Sequence, residues 1–208
     1  MLTDKYEKEC GGTVCGVDEA GRGPLVGRVY AAAVILPELD ENNEVFQALN
    51  DSKKLTEKKR FELAPKIKEL AVAYCVAFSE VSEIEEINIL EASLLAMRRA
   101  ICGLSVHPEY ALVDGNVSRD FDKVGVKAKA IVGGDGISLS IAAASILAKT
   151  ERDTYCMEYL DKTYPQYGFA AHKGYGTKAH YAAIDQFGVC PEHRMSFLKK
   201  YFEKKNMQ

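Results

Sequence analysis

Three apolar runs in this sequence each lead into acidic residues beside a glycine turn. The runs are 14–17, 110–113 and 127–132. Short apolar runs bounded by glycine are typical of buried β-strands, and strands that end in the same direction bring their last residues to one edge of a sheet. The acidic residues that follow these runs are Asp18, Glu19, Asp114 and Asp135. The sequence therefore predicts a sheet with four carboxylates along one edge.

The rest of the chain alternates between strand-like and helical patterns. Further strands are predicted at 27–36, close enough to the first for a hairpin, and at 72–78; helices are predicted at 56–70, 90–101 and 138–160. An early hairpin followed by this alternation favours an α/β fold in which a mixed sheet is flanked by helices. We expect one domain over residues 1–208. Within it, the pattern predicts an α/β core at about 12–160 and a helical C-terminal annex at about 161–208.

The overall charge argues against one class of nucleic-acid binder. The 208 residues carry a formal net charge of −3, whereas a generic nucleic-acid coat protein depends on overall basicity. Two local basic stretches, at 53–60 and 194–205, are explained equally well as substrate contacts or as solvated helix faces. The N-terminus has no apolar signal-peptide core, and no segment is long enough to span a bilayer, which predicts a cytoplasmic protein without membrane contact.

Four carboxylates at one sheet edge repel one another unless some of them bind protons or a hard cation. Oxygen-only ligands suit Mg²⁺ or Mn²⁺, whereas zinc would favour histidine or cysteine. Two such ions about 3.5–4 Å apart can activate water and stabilise the leaving oxygen of a phosphodiester. Taken singly, Asp114-Gly115-Asn116 and Gly134-Asp135-Gly136 are more typical of plain turns. The set of four carboxylates is what predicts metal-assisted phosphodiester hydrolysis.

The glycine loop Gly21-Arg22-Gly23 does not have the pattern of a dinucleotide-binding site. That fingerprint needs G-x-G-x-x-G at the opening of a helix, whereas here Pro24 intervenes and a strand is predicted next. The histidines form no HExxH motif and have no evident nucleophile as a partner. His172 and His193 stand close to basic residues in the sequence, so they are interpreted either as phosphate contacts or as solvated loop residues.

Six longer segments resemble the type 2 ribonuclease H family, and within it ribonuclease HII. They are GVDEAGRGPLVG (16–27), NDSKKL (50–55), LVDGN (112–116), GGDGISLSIAAASILAKTERD (133–153), PQYGFAAHKGYGT (165–177) and HRMSF (193–197). In this order and spacing they cover nearly the whole chain. The GRG element and the short stretch before the first segment are similar to ribonuclease HII rather than to ribonuclease HIII, which has an extra N-terminal domain.

The resemblance implies a ribonuclease H-like mixed sheet flanked by helices, with a helical C-terminal region. It implies an endonuclease, dependent on Mg²⁺ or Mn²⁺, that hydrolyses the RNA strand of RNA–DNA hybrids. It further implies incision on the 5′ side of a ribonucleotide embedded in duplex DNA, leaving a 3′-hydroxyl and a 5′-phosphate. We expect the enzyme to act as a monomer.

Individual residues match the functional positions of that family. The catalytic, metal-binding acidic set matches Asp18, Glu19, Asp114 and Asp135. The GRG element, whose backbone recognises the ribose 2′-hydroxyl, matches Gly21, Arg22 and Gly23. Tyr175 matches the tyrosine at the RNA-to-DNA junction, and we expect Lys53 and Lys54 to hold the strand backbone. Only the 2′-hydroxyl distinguishes RNA from DNA at one nucleotide, and an aromatic ring stacks without reading sequence, so these residue types suit these roles.

Several points remain open at the level of sequence. Gly133 stands where the family commonly has lysine. Lys149 and Asp153 are spaced for an ion pair on one helix face, and Arg22 is either a phosphate contact or a structural ion-pair partner.

Two other functions are also compatible with parts of the pattern. A different nuclease on the same fold would cut DNA that lacks any 2′-hydroxyl, and a hybrid-binding module would bind without turnover.

Overall fold

The computed structural model describes residues 2–49 and 55–206. Lys53 and Lys54, which were predicted to hold the substrate strand, lie outside the described residues. The five strands are β1 (Val14–Ala20), β2 (Val29–Ile35), β3 (Ala73–Ser79), β4 (Tyr110–Asp114) and β5 (Lys127–Ile131). Their order in the sheet is β3-β2-β1-β4-β5. The first three strands along the chain pair antiparallel, and β1, β4 and β5 pair parallel. The predicted mixed sheet is confirmed.

Nine α-helices are assigned within the described part of the chain. They are α1 (Lys5–Cys10), α2 (Glu44–Leu49), α3 (Glu57–Leu70), α4 (Val81–Cys102), α5 (Leu139–Tyr155), α6 (Asp161–Thr163), α7 (Phe169–His172), α8 (Lys178–Phe187) and α9 (Met195–Asn206). A π-helical turn, Cys156–Leu160, joins α5 to α6. As predicted, Thr56 caps α3, since its side chain accepts a hydrogen bond from the backbone of Lys59. Among the described helices, none is long and apolar enough to cross a membrane.

The sheet is covered on one face by α5 and on the other by α4. Small residues at the start of α5 let this helix approach the sheet closely, as the run Ala142–Ala144 is completely buried. The closest approach is at Gly16 of β1, where an added Cβ would stand 2.1 Å from the backbone carbon of Ser140. Only glycine fits there. The resulting contact fixes the depth at which the next turns of α5 face the acidic residues of β1.

Two predicted boundaries were wrong. Strand β1 does not end before its acidic pair, because Asp18 and Glu19 continue the ladder with β2 up to Ala20. Helix α4 begins at Val81 rather than at about residue 90, because Glu80 and Glu83 form a capping box there. The predicted start corresponds to a kink inside α4, where Asn88 has a φ of 68°. Its side chain accepts hydrogen bonds from two following backbone amides and so resembles a second cap.

The C-terminal helices α6 to α9 cover one end of the sheet. Their apolar side chains form a separate core with the loop that connects β1 to β2, including Leu25, Val26, Phe169, Ile184 and Leu198. That loop contains Gly21-Arg22-Gly23. The helical C-terminal region, predicted from the absence of strand patterns, is therefore what supports the loop between the first two strands.

Candidate active site

The parallel strands bring the predicted acidic residues to one end of the sheet. Val17 of β1 pairs with Val113 of β4, so Asp18 and Asp114 come next on neighbouring strands. Asp114 in turn pairs with Ile131, the last residue of β5. Asp135 follows on a short 3₁₀ turn, Gly134–Gly136. The backbone N–H of Gly134 donates to Asp114 Oδ1 at 2.7 Å, which ties this turn to the end of β4.

Asp18 is the most deeply buried of the four carboxylates, with 4% of its surface exposed. Burial and the nearby charge of Glu19 raise the pKa of Asp18 to about 8, and Asp114 adds to this. A hydrogen bond with Ser145 and the positive charge of Lys149 act in the opposite direction. Lys149 Nζ itself donates to Ser145 Oγ at 2.6 Å. Helix α5 thus supplies both groups that favour the ionised form of Asp18.

Glu19 leaves β1 on the opposite face of the sheet, because successive strand side chains alternate and Val17 belongs to the core beneath α4. Burial raises the pKa of Glu19, whereas the charge and hydrogen bond of Arg22 lower it. Arg22 Nη1 lies 3.3 Å from Glu19 Oε1. Of the two interpretations of Arg22, the structure therefore shows the ion pair, although about half of the Arg22 side chain stays exposed.

The donor chemistry of this cluster fits a hard cation. The predicted ligands are carboxylate oxygens only, and ionisation of the buried Asp18 carboxyl at neutral pH would be favoured by a cation beside it. Within the described residues, however, no three acidic, histidine or cysteine side chains are already grouped so as to hold an ion. Asp18 and Glu19 leave opposite faces of β1, and, besides burial, the charge of Asp114 raises the pKa of both carboxyls. The assignment of these four residues as ligands stays a prediction.

The glycine loop and Tyr175 lie side by side. The backbone N–H of Leu25 donates to the carbonyl of Gly174 at 2.9 Å. A Cβ added to Gly23 would stand 3.5 Å from Cε1 of Tyr175, whose ring is half exposed. Gly21 has a φ of +100° and faces the buried side chain of Arg152 so closely that an added Cβ would overlap its Nε. The two segments predicted to read the sugars are therefore neighbours.

Arg152 lies beneath both of these segments. It is 2% exposed, and its Nη2 donates to the carbonyl of Lys173 at 3.0 Å. Its guanidinium carbon is 6.0 Å from the centre of the Tyr175 ring. Its Nε is buried without a hydrogen-bond partner. In the sequence, Arg152 is only one residue of a longer matching segment. Its burial was not predicted, because the neighbouring residues give no sign that this arginine is buried.

A cleft of about 580 Å³ has both Asp135, at the acidic end of the sheet, and Tyr175 in its lining. Its lining includes Asp135, Ser145, Lys149, Arg152, Gly21 and Tyr175. Of the four predicted carboxylates, Asp135 belongs to this lining, which also contains cationic side chains and the exposed ring of Tyr175. Such a surface can accommodate a polyanionic strand with its phosphates near the cations and its bases against the ring.

Two expectations about basic residues need correction. Arg194 is completely buried rather than part of a solvated basic tail, and its guanidinium donates to backbone carbonyls of the loop between β1 and β2. His193 is also buried, so it is neither a phosphate contact nor a solvated loop residue. Both residues belong to the HRMSF segment, and an arginine is expected to be exposed from its residue type alone. The burial of Arg194 and His193 is seen only in the fold of the C-terminal region.

The predicted ion pair between Lys149 and Asp153 does not form. Asp153 Oδ2 accepts from Arg60 Nη2 of α3 at 3.3 Å, and Lys149 is turned toward Ser145. Burial raises the pKa of the Asp153 carboxyl, while the charges of Lys173 and Arg60 lower it.

Gly133 has a φ of +66°, and no atom lies within 4 Å of where a Cβ would stand. This left-handed conformation suits glycine where the family commonly has lysine.

Comparison with known proteins identifies the same family along nearly the entire chain. The family model described as ribonuclease HII matches residues 15–203. A ribonuclease HII from Laribacter hongkongensis is 58% identical over 184 residues, which is 88% of this chain and 90% of that protein. The match includes the acidic end of the sheet, the glycine loop and the C-terminal helices.

Solved structures confirm the ribonuclease H-like fold. A crystal structure of ribonuclease H2 from Pyrococcus horikoshii aligns with a TM-score of 0.74 at 27% identity, covering 94% of this chain and 100% of that chain. A chain of the PCNA–ribonuclease HII complex from Archaeoglobus fulgidus aligns with a TM-score of 0.73 at 25% identity, covering 88% of this chain and 94% of that one. The mixed sheet and its helical C-terminal region are thus shared with these proteins.

Proposed function

The chain belongs to the ribonuclease HII family, and from this premise we propose that it incises duplex DNA on the 5′ side of an embedded ribonucleotide. It is a ribonuclease H, a hydrolase that acts on RNA–DNA hybrids. The finer proposal includes the products, a 3′-hydroxyl and a 5′-phosphate. The observation that supports it is the cleft whose lining includes Asp135, Gly21 of the glycine loop and Tyr175.

We propose that Asp18, Glu19, Asp114 and Asp135 hold Mg²⁺ or Mn²⁺. When bound there, two ions would supply an activated water and stabilise charge on the leaving oxygen. The chain's own contribution is orientation. The hydrogen bond from Gly134 fixes one oxygen of Asp114, and Ser145 fixes the carboxyl of Asp18 from the side of α5. Lys149 limits the cost of ionising Asp18, because its charge lies on the same wall.

The backbone of Gly21–Gly23 is proposed to contact the ribose 2′-hydroxyl. Backbone donors and acceptors on a rigid turn can recognise this hydroxyl without reading a base. The ring of Tyr175, next to Gly23, is proposed to stack against the following deoxynucleotide, where no 2′-hydroxyl occupies the space. Arg152 lies under both segments and keeps their spacing constant. A ribonucleotide followed by a deoxynucleotide would satisfy both contacts at once.

We propose further that one copy of the chain is sufficient, as the acidic end, the glycine loop and Tyr175 are parts of one cleft in one chain. The Archaeoglobus relative was solved in complex with PCNA. By that likeness we propose a protein of the PCNA kind as a partner of this chain. We also propose that the chain forms a single domain and that it is located in the cytoplasm.

The test is cleavage of an end-labelled DNA duplex that contains one ribonucleotide, beside an all-DNA duplex of the same sequence. Each is incubated with Mg²⁺, with Mn²⁺ or with EDTA. We expect a metal-dependent cut on the 5′ side of the ribonucleotide, and no cut in the all-DNA control. Cleavage of both duplexes would instead indicate a nuclease without 2′-hydroxyl recognition. Binding without any cleavage in either metal would indicate a hybrid-binding module.

A further inference from the structure

A chain of hydrogen bonds through two buried histidines ends at the backbone of Tyr175. His180 Nδ1 lies 3.0 Å from the carbonyl oxygen of Tyr175. His180 Nε2 lies 3.1 Å from His193 Nε2, and the backbone N–H of Cys190 donates to His193 Nδ1 at 2.9 Å. His180 is completely buried and His193 is 2% exposed. Neither histidine has a role in the proposed chemistry.

The partners at the two ends of this chain determine where the protons are. A carbonyl oxygen only accepts, so His180 Nδ1 carries a proton and, in the neutral ring, its Nε2 does not. The facing Nε2 of His193 must then donate. This leaves His193 Nδ1 bare, which suits its shortest contact, the backbone N–H of Cys190 at 2.9 Å; the thiol and the carbonyl of Cys190 lie farther away, at 3.1 and 3.3 Å. For neutral rings, the proton order that follows from the Tyr175 carbonyl agrees with the order that follows from the Cys190 N–H.

A third histidine holds the other side of the same loop. His172 Nδ1 accepts from the backbone N–H of Gly174 at 3.2 Å, and its Nε2 donates to the carbonyl of Tyr167 at 3.0 Å. The rings of His172 and His180 are stacked, with centres 4.7 Å apart. The carbonyl of Tyr175 also accepts from the backbone N–H of Thr177 at 2.8 Å. The backbone on both sides of the Tyr175 side chain is therefore held by hydrogen bonds to imidazole side chains.

We propose that His180 and His193 are positioning residues for Tyr175, acting through the ordered chain of hydrogen bonds that ends at its carbonyl oxygen. The ring of Tyr175 is half exposed, so packing restrains only part of its surface. Its orientation toward Gly23 therefore depends on its backbone. This inference rests on the proposed contact between Tyr175 and the substrate, and it adds the residues that hold that contact in place.

The surroundings of the pair favour neutral rings. The aromatic and titratable groups against them are His172, Tyr167, Phe169 and Cys190. Burial lowers the pKa of His180, the hydrogen bond to the Tyr175 carbonyl acts against this, and a charge on His172 would lower it further. Burial and His180 likewise lower the pKa of His193 to about 4. A second proton on either ring would place two N–H groups, or an N–H and a backbone N–H, against each other.

Two substitutions of His180 separate positioning from stability. The side-chain nitrogen of asparagine is as many bonds from Cα as Nδ1, so His180→Asn can still donate to the carbonyl of Tyr175 but leaves the N–H of His193 unpaired. Glutamine reaches as far as Nε2, so His180→Gln can still accept from His193 but no longer donates to Tyr175. His180→Asn should therefore be the less stable variant and the better enzyme.

The readout is kcat/KM on a duplex with one ribonucleotide, divided by kcat/KM on a long RNA–DNA hybrid. We expect His180→Gln to lower this ratio about five-fold, the effect of losing one hydrogen bond. His180→Asn should keep the ratio near that of the parent enzyme despite a lower melting temperature. The matched control is His107→Gln, at an exposed histidine, which should change neither quantity. Equal losses in both His180 variants, or losses that follow the melting temperatures, would overturn the proposal.

Tyr175→Ala distinguishes failure of this inference from failure of the proposed function. If Tyr175→Ala lowers the ratio and His180→Gln does not, the positioning role is wrong and the function of Tyr175 stands. If Tyr175→Ala leaves the ratio unchanged, the junction role itself fails. In that case ¹⁵N NMR of the imidazoles decides the inference: we expect neutral rings protonated on Nδ1 of His180 and Nε2 of His193 at pH 7. The opposite tautomers, or a charged ring, would overturn it.

Discussion

The guanidinium of Arg194 donates a 2.9 Å hydrogen bond to the carbonyl oxygen of Pro24, 170 positions earlier in the chain. The carbonyls of Gly27 and Arg28 accept from the same side chain at 2.8 and 3.1 Å. Burial lowers the pKa of Arg194 to about 9, which leaves it charged at neutral pH. The loop that begins with Gly21 is therefore held from its buried side by one charged group with several donors in a fixed fork.

Replacement of this arginine by lysine tests the arrangement. Arg194→Lys keeps the positive charge, but one ammonium cannot reach carbonyls on several sides, so buried acceptors lose their partner. We expect the free energy of unfolding to fall by about 2–4 kcal/mol, together with a loss of cleavage. Thermal unfolding and kcat/KM on the single-ribonucleotide duplex measure the two effects. Lys200→Ala, at an exposed position of α9, is the control and should be neutral. Parental stability of Arg194→Lys would contradict the anchoring role.

Asp18→Asn should abolish cleavage and yet stabilise the protein in EDTA. The folded-state pKa of about 8 means that the folded protein holds a proton on Asp18 which the unfolded chain releases near pH 4. Stability is therefore lost as pH rises from about 4 to 8, and the neutral asparagine avoids this loss. At pH 8 in EDTA we expect a higher melting temperature for Asp18→Asn than for the parent, with the difference shrinking at pH 5.

Added Mg²⁺ provides the control for that experiment. It should raise the melting temperature of the parent, because an ion that binds only the folded state stabilises it, and should do so much less for Asp18→Asn. Asp114→Asn should likewise remain folded and inactive. Parental turnover by either variant at saturating Mg²⁺ would remove these residues from the metal site.

The elements that were predicted well are those whose signal is local. Thr56 begins α3 because a side-chain cap is read from neighbouring residues, and the apolar runs before Asp114 and Asp135 became β4 and β5. The acidic end of the sheet followed from these strands and their common direction. Arg194 and His180 could not be predicted, since their burial depends on helices that are distant in sequence from the loops they contact. Asn88 shows the intermediate case, where a local cap was taken for the start of a helix.

Gly133→Lys restores the residue that the family commonly has at this position. The φ of +66° costs a non-glycine residue roughly 1–2 kcal/mol, whereas the space around the Cα is open. We expect a folded protein that is destabilised by about that amount, measured by chemical unfolding. Gly133→Ala is the matched control, since it carries the same backbone cost without the ammonium. If kcat/KM changes in Gly133→Lys but not in Gly133→Ala, the change is due to the positive charge next to Asp135.

His193 should make the protein sensitive to mild acid. Its folded-state pKa of about 4 lies below the ordinary value of 6.5, so the stabilisation is complete above pH 6.5 and is lost as pH falls toward 4. The loss amounts to about 3 kcal/mol over this range. The contribution of Asp18 to stability has the opposite pH dependence, so the measurement is made in the Asp18→Asn background. Unfolding free energies at pH 4.5 and 7 should differ less after His193→Gln. An unchanged difference would contradict the burial of a neutral ring.

Tyr175→Ala should impair cleavage at a single embedded ribonucleotide more than cleavage of a long RNA–DNA hybrid. The exposed ring lies next to Gly23 and 6.0 Å from the guanidinium carbon of Arg152, so it forms the end of the cleft where a deoxynucleotide would follow the ribonucleotide. Loss of one stacking contact, worth about 1–3 kcal/mol per base, predicts a decrease of roughly 5- to 150-fold in kcat/KM on the single-ribonucleotide duplex. Tyr175→Phe keeps the ring and should retain most of the activity. Equal losses on both substrates would show that the ring does not distinguish the junction.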